Sequence, residues 1–275
     1  MNLSISNIAW SPDQDTAVYT AMEQLGYTGL EIAPTRIFPQ DPYAHTGEAT
    51  LFARQLREQY GLRVCSLQSI WYGRTERLFG SGKERQLLLD YTRRAIDFAA
   101  AMDCPNLVFG SPRNRQQPEG APLEPVLEFF REVAVYAAAC GTTLSMEPNP
   151  PLYHTNFINT TEQACDLVRQ VRSRVLPPSK ASGFAVNLDL GTMIENQESL
   201  LSLPQWLPLI NHMHISEPGL GRLKEEHLPL HRDLLSQVQK AWTDNTWQGY
   251  LSIEMGCLHS LEELLETMKQ ISSLL

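Results

Sequence analysis

Residues 210–218 read INHMHISEP, an apolar run broken at alternate positions by His212 and His214 and followed at once by a serine, an acid and a proline. On an extended strand residues two apart point to the same face, so both imidazoles look the same way. Seven other short apolar or β-branched runs punctuate the chain: LSISNIA from residue 3, GLEIAP from 29, LRVCSLQSI from 62, NLVFGSP from 106, TTLSMEP from 142, FAVNLDLG from 184 and GYLSIEMG from 249. Between them lie stretches whose apolar residues recur three and four apart, the mark of amphipathic helices, clearest at 83–102 and 122–140. The helices after the fifth and eighth runs begin NTTEQACDLV and HSLEELLETM, where Thr or Ser precedes Glu near an expected N-cap. Strict alternation of strand and helix implies a parallel sheet. Eight repeats in 275 residues predict an α/β fold, a closed (β/α)8 TIM barrel forming a single domain over 1–275, rather than an open doubly wound sheet. The G-x-G-x-x-G turn of a dinucleotide fold is absent after the first run.

A hydrophobic fraction of 43% with 19% charged residues describes a chain able to bury a sizeable core. Its net charge of −9 offers no basic footprint for phosphates, which argues against nucleic acid as a partner. Cys65, Cys104, Cys140, Cys165 and Cys257 are odd in number and lack any C-x-x-C pair, so reduced core thiols in a cytoplasmic protein are expected. The start, MNLSISNIAW, lacks the basic and long apolar regions of a signal peptide, and no run approaches the ~20 apolar residues of a membrane span.

Catalytic groups in such a barrel come from the C-terminal ends of several strands. The fifth run ends in Glu147, the sixth in Asp189, the seventh in His214 and the eighth in Glu254. Any of these acids alone reads as an N-cap or a surface charge, and a lone strand histidine as a hydrogen-bonded core residue. Together, three inward carboxylates repel one another unless protonated or neutralised by a cation, so the set predicts a metal site. Its oxygen-rich character suits Mn²⁺ first, with Mg²⁺, Co²⁺ and Zn²⁺ as alternatives. Four protein ligands on a six-coordinate ion leave about two positions for adjacent oxygens of a polyol or hydroxyketone. Two residues back along each strand stand Ser145, Asn187, His212 and Ser252, all polar. They form a layer that orients the ligands from beneath, with His214 the ligand and His212 its support; alternatively His212 caps the barrel core with a partner of its own.

The motifs SMEPNP, NLDLG, HMHISEP and YLSIEMG, with GYTGLEIAP near the start, resemble the xylose-isomerase-like barrels of the sugar phosphate isomerase/epimerase family, which includes ketose 3-epimerases and inosose-processing enzymes. This resemblance covers nearly the whole chain. It implies that Glu147, Asp189, His214 and Glu254 ligate a divalent metal, with Glu147 and Glu254 as the acid/base pair. The implied activity, in carbohydrate metabolism, is isomerisation or epimerisation of a sugar, cyclitol or sugar phosphate by proton transfer through a metal-bound enediolate. The chain departs from the epimerase pattern at Thr192, where many relatives carry a histidine, and at Arg222, which stands about two residues later than the arginine of ketose 3-epimerases. An abasic-DNA endonuclease of the same superfamily uses several histidines, whereas the second and third runs here have none.

Functional insertions are expected in the loops 111–122 and 217–229. Arg113 and Arg115 in FGSPRNR offer charge-assisted bonds to a phosphate or carboxylate. Glu31 and Gln68, ending the second and third runs, offer polyol contacts, and Asn149, Asn156 and Arg222 are placed at the same pocket. The expected partner is a small sugar, cyclitol or sugar phosphate, with homo-oligomerisation left open and neither nucleic acid nor membrane involved. Two rival readings stand beside the isomerase: a metal-dependent dehydratase of a related hydroxyketone, and a non-catalytic sugar-binding barrel.

Overall fold

Each run supplies side chains for two different surroundings, apolar ones for the helices outside and small or polar ones for the interior of a closed sheet. The computed structural model describes residues 1–176, 183–258 and 260–274. In it the strands are β1 (Asn2–Ser6), β2 (Gly29–Ile32), β3 (Arg63–Leu67), β4 (Asn106–Phe109), β5 (Thr143–Met146), β6 (Phe184–Asp189), β7 (Ile210–Ile215) and β8 (Tyr250–Ile253). All pair in parallel and in chain order, and β8 closes onto β1. The connections hold α1 (Asp15–Gln24), α2 (Pro34–Ile37), α3 (Thr46–Tyr60), α4 (Gly82–Ala100), α5 (Glu124–Ala139), α6 (Thr161–Ser173), α7 (Leu190–Glu195), α8 (Leu203–Trp206), α9 (Leu228–Thr243) and α10 (Leu261–Ser272). The first strand is shorter than its run, because Asn7–Ala9 turn into a 3₁₀ segment. At α6 the Thr160 cap is reciprocated by Gln163 rather than by Glu162, while at α10 Ser260 accepts from the Glu263 amide.

The alternation is visible on β7, where Met213 and Ile215 join the apolar core while His212 and His214 are buried among polar groups. That interior is unusually polar for a barrel of this kind, whose lumen is ordinarily filled by branched aliphatic side chains. Asn106 donates to Ser66 and accepts from Ser145, and Gln68 donates to both Ser6 and Glu31. Buried polar groups of this kind are tolerable only when they satisfy one another, so the lumen is a hydrogen-bonded network rather than a packed oil drop. Strand register breaks at two places, between Leu30 and Glu31 on β2 and between Val186 and Asn187 on β6. Breaks of register re-aim the side chains beside them, and both Glu31 and Asn187 reach the imidazole of His214.

All five cysteines are free, and Cys65, Cys104 and Cys165 are buried; Cys257 is exposed, contrary to the expected core placement, because it follows β8 in the loop at the barrel mouth. Among the described residues no helix is long and apolar enough to cross a membrane.

One glycine fixes how closely a helix can lie on the barrel. A Cβ at Gly183 would stand 2.0 Å from the Ala134 carbonyl oxygen and 2.6 Å from the Ala138 nitrogen, both backbone atoms of α5. Gly183→Ala therefore must push α5 off the start of β6, and a loss of about 1–3 kcal/mol is expected, read as a lowered urea midpoint with unchanged slope. An unaltered midpoint would mean that α5 yields freely.

Candidate metal centre

The C-terminal ends of β5 to β8 bring Glu147, Asp189, His214 and Glu254 together, with one ligand-type atom from each lying within 4.8 Å of all the others. From His214 Nδ1 the distances are 2.9 Å to Glu147 Oε1, 3.2 Å to Glu254 Oε2 and 3.8 Å to Asp189 Oδ2. The opposite ring nitrogen, Nε2, lies 3.1 Å from Oε2 of Glu31, a fully buried carboxylate. If Nε2–H donates to Glu31, the Nδ1 lone pair faces three carboxylates. That arrangement is repulsive for neutral imidazole. It is relieved by a second proton on the ring or by a cation among the four side chains, and a set of three carboxylates and one imidazole nitrogen fits a hard divalent ion.

The acids are held in place from several sides. Asp189 Oδ2 accepts from Ser216 Oγ at 2.6 Å, and Oδ1 accepts from the Thr192 amide at 2.6 Å, so this residue also caps α7. Asn187 Nδ2 donates to Glu147 Oε1 at 2.8 Å and lies 3.2 Å from His214 Nδ1. Asn149 Nδ2 donates to Glu147 Oε2 at 3.2 Å. Burial raises the pKa of Asp189, as does the charge of Glu147, against the pull of His214. Burial pushes Glu254 up to about 7, with His214 holding it down and Glu147 and Asp189 adding to the rise. For His214 burial works against the charged form, but Glu254, Glu31 and Glu147 outweigh it and the pKa lies well above the usual imidazole value. Glu31 is opposed by burial too, and its two histidines hold it well below the ordinary carboxylate range.

A cavity of about 220 Å³ opens over the cluster, lined by Gln68 and Asn149 of the expected contacts together with Glu147, Asp189 and Glu254. The other expected contacts lie elsewhere. Glu31 is sealed beneath the cluster and touches His214 instead of the cavity. Arg115 is also fully buried; its guanidinium donates to the Glu147 carbonyl at 3.0 Å and to Asn149 Oδ1 at 2.6 Å, so it braces the end of β5. Its desolvation lowers the pKa to about 9. Arg113 points into a neighbouring groove. Asn156 clasps the main chain of Gln117 through both ends of its amide, and Arg222 pairs with Glu263 on α10. Of the polar layer, Asn187 touches ligand-type side chains directly. Ser252 reaches Glu31 at 3.5 Å, His212 Nε2 stands 3.2 Å from the same carboxylate, and Ser145 bonds to Asn106.

Sequence reasoning passed over Ser216, Glu217 and Tyr153, all of which line the cavity. The SEP after β7 was the available signal. Ser216 grips Asp189, and the buried Glu217 lies 2.6 Å from His227 Nδ1 and 3.0 Å from His231 Nε2, tying the following loop and α9 to the strand end. Thr192 does not line the cavity, because its hydroxyl donates to the Pro148 carbonyl at 2.9 Å.

Residues 19–273 match a family described as the xylose isomerase-like TIM barrel. No curated protein matches the chain in sequence. Similar solved structures include a 3-keto-D-glucoside 4-epimerase from E. coli, 19% identical with a TM-score of 0.70 over 100% of this chain and 98% of that one. A D-psicose 3-epimerase from Clostridium cellulolyticum is 16% identical, with a TM-score of 0.74 over 99% and 97%. An AP endonuclease, family 2, from Brucella melitensis is 21% identical, with a TM-score of 0.65 over 96% of each chain. At these identities the likeness is one of fold.

The electrostatics give a pH signature. Glu254 has a folded pKa of about 7, above the ~4.3 of an unfolded glutamate, so without a cation its burial becomes destabilising as pH rises across that interval. His214, raised above ~6.5, contributes stability that is present below that value and lost as pH climbs through the folded pKa. Both effects have the same sign. Chelator-treated protein should therefore melt lower at pH 8 than at pH 5.5, and Mn²⁺ should raise the melting temperature more at pH 8. Identical pH profiles with and without the ion would refute this account.

Proposed function

Since the chain belongs to the xylose isomerase-like TIM barrel family, we propose that it is a divalent-metal-dependent isomerase or epimerase of a sugar, cyclitol or sugar phosphate. The observation that carries this reading is the convergence of Glu147, Asp189, His214 and Glu254 on one point at the floor of a cavity. These four would hold the ion, Mn²⁺ first among the candidates. When bound, it supplies Lewis-acid stabilisation of negative charge developing on substrate oxygens.

The chain's own groups supply the proton transfers. Glu147 and Glu254 come from strands on different sides of β7, and a substrate carbon lying over them meets one carboxylate on each flank. One removes the proton beside a carbonyl; the other delivers a proton to the opposite face for epimerisation, or to the adjacent carbon for isomerisation. Gly110 keeps space free at Glu147, since a Cβ there would lie 2.6 Å from Oε2. Asn149 and Asn187 fix the two oxygens of Glu147, so the base is oriented before substrate arrives. Two of the similar solved structures are named as sugar epimerases, in keeping with this reading. The nuclease named among them is a poorer guide, because this chain carries a net charge of −9 and has Glu31 and Gln68, with no histidine, at the C-terminal ends of β2 and β3.

Ketoses, inososes and their phosphates incubated with the protein and Mn²⁺ in heavy water should include at least one compound that gains deuterium at carbon. Glu147→Gln and Glu254→Gln should each lower turnover about 10²–10⁴-fold. Parity of both variants with the parent on an accepted substrate would defeat the two-glutamate mechanism, and release of water would mark a dehydratase.

A separate outcome concerns Glu31. Loss of its charge in Glu31→Gln weakens the hold on His214 Nε2–H, and Mn²⁺ affinity measured by titration should fall about 10–100-fold. Unchanged affinity would show that His214 is oriented without it.

A further inference from the structure

Beside the cavity over the carboxylates lies a second depression of about 640 Å³, against about 220 Å³ for the first. Ser69, Ser111 and Pro112 line both, so the two spaces share a waist formed by the loops after β3 and β4. The serines at this waist hold left-handed backbone, φ +53° at Ser69 and +40° at Ser111, conformations that non-glycine residues adopt at an energetic cost and that cluster at ligand clamps. Beyond the waist Tyr72 is 71% exposed, a large aromatic surface left facing solvent. Arg113 lines the same groove and makes no ion pair or hydrogen bond among the described residues, whereas its neighbour Arg74 is paired with Glu76 and stacked over Tyr91. The Asn114 amide is likewise committed, donating to the Arg74 and Glu76 carbonyls.

We propose that the substrate is a two-ring sugar, a glycoside whose reacting unit carries the carbonyl, as a ketone or by opening at its free anomeric carbon, and sits over the carboxylates while its second ring occupies this groove against Tyr72 and Arg113. The proposal rests on the sugar reading above and narrows it. A phosphate alone would leave most of a 640 Å³ space empty, and a dedicated anion site converges several donors, whereas here one guanidinium is free. An exposed aromatic face with a few polar groups beside it is suited to the apolar face of a pyranose, with the guanidinium N–H groups directed at ring hydroxyls.

Saturation-transfer NMR on the protein loaded with diamagnetic Mg²⁺ tests it with D-glucose, D-fructose, maltose, cellobiose, sucrose and trehalose as probes. At least one two-ring sugar should bind about tenfold more tightly than either component monosaccharide, with protein contact on both rings. Tyr72→Ala and Arg113→Ala should each shrink that ratio several-fold, while Tyr72→Phe, which keeps the stacking face, should preserve it. Both positions are on exposed loops, and circular dichroism verifies that the variants fold. Equal affinity for one- and two-ring sugars, contact confined to one ring, or a ratio insensitive to Tyr72→Ala would each overturn the proposal. The heavy-water assay separates its failure from that of the catalytic reading. Two-ring binding that depends on Tyr72, without exchange in any sugar, upholds the groove and removes the chemistry; exchange in monosaccharides with no two-ring preference does the reverse.

Discussion

Four acids crowd one imidazole at the centre of this barrel, and most of the surrounding structure answers to that imbalance. Glu31 takes one ring nitrogen of His214, and Glu147, Asp189 and Glu254 face the other. Buried like charges are costly unless paired and hydrogen-bonded, and the neighbours act accordingly. Ser216, the Thr192 amide, Asn187 and Asn149 all donate to these carboxylates. None of these donors removes net charge. Hydrogen bonds stabilise each carboxylate singly, but the mutual repulsion among three of them yields only to a proton or a cation.

The same constraint explains why the barrel lumen is polar. An aliphatic interior would leave the Glu31 carboxylate with His214 alone, whereas Gln68, Ser252 and His212 of the lumen also approach it. His212 is kept below its ordinary pKa by burial, although Glu31 pulls the other way, which suits a neutral ring beside a carboxylate already engaged by His214. The two register breaks fall at Glu31 and Asn187, the residues that approach opposite nitrogens of His214. At both places regular pairing is given up where a strand aims a polar side chain at the imidazole.

How much of this was legible depends on whether direction is encoded by a period. Along a strand the side-chain period is two, so Glu147, Asp189, His214 and Glu254 were readable as inward-facing groups at one rim, and the strand and helix alternation gave the barrel. Loops have no period. Arg113, Arg115, Asn156 and Arg222 are near the rim in sequence, yet one opens to a side groove, one is buried under β5, one staples two loops and one pairs with α10. Glu31 was misread for a different reason. It lies on a strand, but whether a strand-end acid faces substrate or supports a ligand from below depends on how the strands are staggered around the barrel, which the sequence does not print. Ser145 and Ser252 show the same limit, since they stand two residues below Glu147 and Glu254 yet bond to Asn106 and Glu31 instead.

The positions where the chain departs from the epimerase pattern have a structural consequence that joins the site to its loops. Thr192 directs its hydroxyl at the Pro148 carbonyl, next to Glu147, and Arg222 turns to Glu263, so neither side chain enters the cavity. The roof is instead made by Tyr153, whose hydroxyl accepts from the Gly219 amide at 2.9 Å and links the loops after β5 and β7. Glu217 anchors the second of those loops through His227 and His231. Beside the three clustered carboxylates the cavity therefore offers Gln68, Ser69, Ser111, Asn149, Tyr153, Ser216 and Glu217, with no cation among them. An uncharged, hydroxyl-rich ring suits that lining better than an anion does, and Arg113, unpaired among the described residues, lines the groove past the waist of the two serines. Charge and shape thus divide the mouth of the barrel into an acidic pocket without a cation and a wider flank that has one.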